Sequence, residues 1–110
     1  MKNPLFVLKI SGNSMKPFAT DGDYAISTRL FRNPKVGEVL IFRSPLDGNL
    51  MIKRVTKIDQ DTNGRKYFLE GDNRIRSTDS KVFGSIGRKE IIGKVLRITR
   101  KRVTTVEGKH

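Results

Sequence analysis

The chain has no cysteine, no tryptophan and a single histidine, His110, which is the last of its 110 residues. Without cysteine there is no disulfide, no thiol nucleophile and no thiolate metal site. A terminal residue is commonly frayed, so a Ser-His-Asp triad or a histidine metal cluster cannot be built on His110. The sequence therefore argues against the commonest hydrolytic centres, and we expect no metal ion or other cofactor.

Long apolar runs are missing as well. Residues 5–8 are apolar, but Lys9 interrupts them, and the run is shorter than a secretory core segment or the roughly 20 residues of a membrane span. If the chain is complete, we expect no membrane anchor of its own and a cytoplasmic location.

Negative charge is scarce: 11 Asp and Glu stand against 23 Lys and Arg, which gives a formal net charge of +12. Such a field favours anionic partners, whether nucleic acid, anionic lipid or an acidic protein, but it does not choose between them. Aromatic residues make up 7% of the chain, so platforms for stacking single-stranded bases are few. A solvated basic surface with no partner is the simpler interpretation.

The chain does contain short apolar segments that alternate with polar residues and are separated by turn residues. Strands are predicted over 6–10, 24–26, 38–42, 50–58, 67–69 and 91–105, the last covering one or two strands, with turns at 33–34, 47–49 and 62–64. This spacing predicts one all-β domain over 1–110, a small β-barrel or sandwich of short antiparallel strands with little helix. A short helical turn could follow Ser14, and 101–110 would form a loose polar tail.

One candidate for chemistry is Lys53, within the predicted strand 50–58. Period-two alternation places Met51, Lys53 and Val55 on one face, so the lysine has apolar neighbours on both sides. Desolvation lowers the pKa of a lysine, and a neutral lysine can remove the proton from a serine hydroxyl. The alternative is a charge on an edge strand that prevents aggregation.

Two other segments carry candidate residues. Ser14 follows Gly12 and precedes Pro17, so a rigid turn could present its hydroxyl and leave its N–H to stabilise an oxyanion. A later loop collects small, hydroxyl and carboxylate residues: Gly71, Asp72, Asn73, Ser77, Asp79, Ser80 and Gly84. The alternative for this loop is an Asx-rich turn that satisfies its own backbone.

In order and residue type, these segments resemble the type I signal peptidase family. The motifs are Ser14-Met15-Lys16-Pro17 with Gly22-Asp23, then Lys53-Arg54-Val55, then the loop 71–84 with Lys81 in the arginine place. The resemblance spans roughly residues 7 to 98.

The resemblance implies a role for each matched residue. Ser14 would be the nucleophile and Lys53 the general base, and Ser77 would donate a hydrogen bond that orients the lysine amine. Asp79 would hold the loop by pairing with a basic side chain such as Arg54 or Lys81.

The Ser14 N–H would form part of the oxyanion hole, with Gly12, Asp72 and Asn73 supporting the hole and the loop. Gly12 stands where some members carry a serine that donates to the oxyanion, so the second donor is unassigned. Phe18-Ala19 replace a common Thr-Leu pair.

The implied function is a serine endopeptidase with a Ser-Lys dyad that removes an N-terminal signal or prosegment from a protein after small residues. The small size most resembles the nickel-type superoxide dismutase maturation proteases, which act on a cytoplasmic metalloenzyme precursor. Two alternatives are a LexA-like self-cleaving regulator and a basic β-barrel that binds nucleic acid or an anionic membrane with degenerate protease motifs. Nucleic acid ranks below a protein partner because no essential protease residue is missing.

Overall fold

The computed structural model describes residues 3–73 and 84–100 of the chain. In this part of the chain, six strands form one antiparallel sheet in the order β1-β2-β6-β3-β4-β5. The strands are β1 (Leu5–Lys9), β2 (Tyr24–Thr28), β3 (Val39–Arg43), β4 (Leu50–Asp61), β5 (Gly64–Glu70) and β6 (Ile91–Thr99), and a 3-10 helix covers Arg88–Glu90. The all-β prediction with little helix is confirmed.

Several bounds differ from the sequence-based prediction. β4 continues three residues past the predicted end to Asp61, and β5 begins at Gly64, three residues early, so the two strands form one long hairpin. Residues 14–18 form a turn, and the Ala19 N–H donates to the Met15 carbonyl at 3.1 Å, the bond of a single helical turn. The predicted tail 101–110 lies outside the described residues. Over 3–73 and 84–100, no helix has the length and apolar character needed to cross a bilayer.

Strand β3 is the centre of the fold because both of its faces are buried. Val39 and Ile41 belong to one core cluster and Leu40 and Phe42 to another, each side chain at most 4% exposed. The first cluster is completed by Ile10, Met15, Ala19, Ala25, Ile52 and Val95, and the second by Val55, Tyr67, Leu69, Ile86 and Ile91. An apolar strand without alternation is what burial on two faces requires.

A β-bulge interrupts β4 shortly after Lys53. The register of β4 with β5 shifts between Val55 and Lys57, which bends the strand and lets Tyr67 and Leu69 pack into the second cluster. Pairing with β5 begins only at Arg54, and residues 50–52 pair, among the described strands, with β3 alone. We call residues 50–52 the open stretch of β4, and Lys53 follows it directly.

Candidate active site

The turn that carries Ser14 is anchored in the core and closed by side chains. Met15 and Ala19 are buried in the first cluster, whereas Ser14 is half-buried. Gly12 has a φ of +88°, a conformation that favours glycine, and its N–H donates to Asp21 Oδ1 at 2.7 Å. Asp21 N–H donates in return to Asn13 Oδ1 at 3.0 Å. The serine is therefore held in a defined turn.

Asp23 secures the return of this turn to β2. Its carboxylate is 1% exposed and accepts hydrogen bonds from Thr20 N–H at 2.9 Å and from Arg100 Nη1 at 2.8 Å. Its carbonyl accepts from Ile10 N–H at 2.7 Å, which joins the two ends of the turn. The Gly22-Asp23 motif thus has a structural role in fixing the serine turn.

Lys53 lies on β4 with its side chain buried, at 1% relative exposure. Met51 and Val55 belong to the second core cluster and Ile52 to the first, so the predicted alternation of faces along β4 is confirmed. A buried lysine paired in register with Leu40 of β3 is not an exposed edge charge. Lys53 therefore places an amine inside the fold, next to the second core cluster.

Ser14 and Lys53 open onto the same cleft, of about 330 Å³. The end of β1 forms one wall and the open stretch of β4 the other; the lining residues are Leu8, Lys9, Ile10, Ser11, Ser14, Leu50, Met51, Ile52 and Lys53. Within the described residues no hydrogen bond joins the Ser14 and Lys53 side chains. The structure therefore brings the predicted nucleophile and base together in one small cleft with a mixed polar and apolar lining.

The start of the third predicted segment connects both elements. Asp72 receives two hydrogen bonds from Arg54, the neighbour of Lys53, at 2.9 and 2.7 Å. Asn73 N–H donates to the Ser14 carbonyl at 2.8 Å, and its side-chain amide donates to the Asn13 carbonyl at 3.0 Å. Asp72 and Asn73 therefore connect the strand of Lys53 to the turn of Ser14, whereas Ser77 and Asp79 lie outside the described residues.

The sequence did not identify Asp72 as the partner of Arg54. Arg54 Nη1 also donates to the Gly37 carbonyl at 2.8 Å, and its guanidinium lies 5.0 Å from the centre of the Phe18 ring. The hydrogen bonds to Asp72 raise the pKa of Arg54 above its already high ordinary value, so this cation is permanent. Two sequence features could have suggested this pair: an arginine directly after the candidate base, and an aspartate in the loop motif.

The backbone N–H groups of Ser14 and Gly12 can be compared as candidate donors to an oxyanion. No residue in the described part of the chain accepts a hydrogen bond from Ser14 N–H, so this amide is available to a substrate carbonyl. The Gly12 N–H, in contrast, is engaged by Asp21. Gly12 therefore shapes the turn, and its own amide is not the second donor.

Two comparisons with known proteins bear on this geometry. Residues 1–96 match the sequence model of the Peptidase S24-like family. A stretch of 50 residues is 46% identical to Signal peptidase I V of Bacillus subtilis (strain 168), and this match covers 46% of the chain and 29% of the Bacillus protein.

Proposed function

This chain belongs to the Peptidase S24-like family, and from that premise we propose that it is a serine endopeptidase in which Ser14 is the nucleophile and Lys53 the general base. The signal-peptidase-like family predicted from the three motifs is confirmed. The observation that supports the proposed dyad is that Ser14 and the buried Lys53 line the same cleft. Asn73 holds the turn that carries Ser14.

In the proposed reaction, neutral Lys53 takes the proton of the Ser14 hydroxyl as its oxygen attacks the carbonyl carbon of the scissile bond. The Ser14 N–H donates to the developing oxyanion. The lysine then gives its proton to the departing amine, and water hydrolyses the acyl-enzyme in a second step that uses the same base. Ser77 stays a prediction as the residue that orients the lysine amine.

The cleft also supports a form of substrate binding. β1 lies at the edge of the sheet and pairs, in the described part of the chain, with β2 alone, and residues 50–52 of β4 pair there with β3 alone. An extended peptide can pair with these strand edges, as in β-strand addition. The small volume and the apolar side chains of Leu8, Ile10 and Met51 favour small residues beside the cleaved bond.

We propose that the substrate is a protein whose N-terminal signal or prosegment is removed, and that the work is done in the cytoplasm. A nickel superoxide dismutase precursor is the specific candidate, on the strength of the motif resemblance. The same proposal assigns the net charge of +12 to contact with an acidic partner.

The direct test is mass spectrometry of peptides that carry small residues at a defined site, incubated with the wild type, Ser14→Ala and Thr62→Ala. We expect cleavage by the wild type and by the control Thr62→Ala, an exposed hydroxyl residue that lines neither pocket, and none by Ser14→Ala with an unchanged circular dichroism spectrum. Cleavage by Ser14→Ala at the wild-type rate would show that the nucleophile is another group. The intact mass of the wild type in the same incubation tests the self-cleaving alternative.

A further inference from the structure

A second groove, of about 600 Å³, lies where the β4–β5 turn and the 3-10 helix approach the β3–β4 turn. Four basic side chains line it: Arg65, Lys66, Arg88 and Lys89. We call this surface the basic groove. It shares no lining residue with the cleft that contains Ser14 and Lys53.

Among the described residues, the four cations of the basic groove outnumber the single carboxylate that lines it. Over 3–73 and 84–100, none of its four cations forms an ion pair, whereas Arg54, Lys57, Lys94 and Arg100 each do. The acid that lines the groove, Glu90, accepts a hydrogen bond from the Gly87 N–H at 2.8 Å. Clustered like charges in a concave surface attract and concentrate an anionic ligand.

One of the four cations is also held in place. The Arg88 guanidinium lies over the Phe31 ring, 4.3 Å from its centre. This contact covers one face of that ring, and among the described residues no aromatic side chain lines the basic groove. A surface without stacking platforms suits an acidic polypeptide better than single-stranded nucleic acid, whose bases bind largely by stacking.

The β3–β4 turn links the basic groove to the candidate active site. Pro45 lines the groove and Leu50 lines the cleft. Two hydrogen bonds of 2.8 Å close the turn between them, from Ser44 N–H to the Asn49 carbonyl and from Gly48 N–H to the Ser44 carbonyl. A polypeptide that leaves the cleft beside Leu50 therefore reaches the basic groove by crossing one tight turn.

The backbone at the groove offers hydrogen bonds as well. Tyr67 pairs with Ile86 along the outer edge of β5, through hydrogen bonds of 2.9 and 3.0 Å. Because alternate residues of a strand direct their N–H and C=O to the same edge, those of Arg65 face this outer edge too. No described residue pairs with Arg65 there, so a peptide can add to the edge with its acidic side chains among the four cations.

From these observations we infer that the basic groove binds an acidic segment of the protein substrate next to the segment held in the cleft. This inference rests on the proposed peptidase function for its role, but the binding itself does not require cleavage. It gives the unusual net charge a local purpose, which is to select substrates that carry aspartate or glutamate near the cleavage site.

Binding is tested first, with fluorescein-labelled hexaglutamate and fluorescence anisotropy on the full chain. We expect saturable binding by the wild type and about tenfold weaker binding by Arg65→Gln/Lys89→Gln, both exposed positions. The control Arg97→Glu lowers the net charge by the same two units, at an exposed site on β6. It should weaken hexaglutamate binding less than about twofold. Equal weakening by both variants, or no saturable binding by the wild type, would overturn the proposal. The proposal would also be overturned if the wild type bound hexathymidylate more tightly than hexaglutamate and the double variant lost this binding to the same extent.

Substrate selection is tested with two peptides that share one small-residue cleavage site and differ in a flanking tail of four glutamates or four serines. In the double variant we expect KM to rise about tenfold for the acidic peptide with kcat unchanged, and both constants to stay unchanged for the serine peptide. The same KM for both peptides in the wild type would rule out a role in selection. If the wild type cleaves neither peptide, the proposed function fails, while the anisotropy experiment still decides what the groove binds.

Discussion

Arg54 and Asp72, 18 positions apart, are joined by two parallel hydrogen bonds, from Nε to Oδ1 at 2.9 Å and from Nη2 to Oδ2 at 2.7 Å. The arginine follows the candidate base Lys53, and the aspartate precedes Asn73, which binds the backbone of the serine turn. This ion pair therefore connects the strand that carries the candidate base to the turn that carries the candidate nucleophile.

Loss of this ion pair should lower the stability of the fold. For Asp72→Asn we expect a loss of about 1–2 kcal/mol in the free energy of unfolding, because the pair is bidentate and its side chains are only 31% and 20% exposed. The matched control is Asp59→Asn, whose partner Lys57 is 3.5 Å away in a pair that is more than half exposed, and it should cost less than about 0.5 kcal/mol. Urea unfolding measures both values, and equal losses would contradict the structural role of Asp72.

Asn73 should matter more for cleavage than for folding. Asn73→Ala removes the side-chain donor to the Asn13 carbonyl but keeps the backbone hydrogen bond to Ser14. Since a small displacement of a nucleophile is costly, we expect kcat/KM to fall about tenfold while the melting temperature changes little. The exposed Asn33 provides the control, Asn33→Ala. A wild-type rate in Asn73→Ala would mean that the backbone bond alone positions the serine.

The proposed base can be tested by a substitution that keeps its charge. Lys53→Arg retains a cation that cannot release its proton near neutral pH, so we expect cleavage to be lost even though length and charge are similar. Lys57→Arg, on an exposed part of the same strand, should keep the wild-type rate. In the wild type, kcat/KM should rise with pH as Lys53 loses its proton. An active Lys53→Arg variant, or a rate that falls with pH over that range, would exclude Lys53 as the base.

Glu38 and Lys94 predict how stability depends on pH. Burial acts to raise the pKa of Glu38, but hydrogen bonds from Lys35 N–H and Lys94 Nζ, with the charges of both lysines, outweigh it and hold the pKa below its ordinary 4.5. The carboxylate therefore stabilises the fold at neutral pH, and this contribution is lost as pH falls through the lowered pKa.

We expect Glu38→Gln to be less stable at pH 7 by at most about 1 kcal/mol and to lose less stability than the wild type on acidification. Lys94→Gln should have a similar cost at pH 7, because the two side chains form one ion pair at 3.0 Å. The double variant should then cost little more than either single variant. Urea titrations at several pH values provide the measurement, and fully additive losses would show that the pair does not act as a unit.

Much of the fold follows from the alternation of apolar residues. Met51 and Val55 share a core cluster as period two requires, and Val39–Phe42 shows the unbroken apolar run of a strand buried on both faces. The length of β4 was underestimated because polar residues from Asp59 onward pair with β5 at the surface, where no apolar pattern marks them. The β4 bulge is equally invisible, since it depends on how β5 packs against β3.

The candidate site was less accessible to sequence reasoning than the strands. Motif resemblance identified Ser14 and Lys53, and the structure brings them to one cleft. Arg54 binds Asp72, which the sequence had not suggested as its partner, while Asp79, the partner that it did suggest, lies outside the described residues. The packing of segments distant in the chain decides which carboxylate pairs with a given arginine, and local sequence does not predict that packing. The contact of Asn73 with the serine turn arises in the same way.

The hydrogen bond from the Asn73 side chain to the Asn13 carbonyl spans 60 positions, and this has a consequence for biosynthesis. A growing polypeptide presents Ser14 long before it contains the residues that fix the serine turn from the other side. Contacts of such sequence separation also form late in folding, because the intervening chain must first be ordered. The turn of Ser14 therefore acquires its final geometry only after Asn73 has been synthesised and the residues between the two have folded.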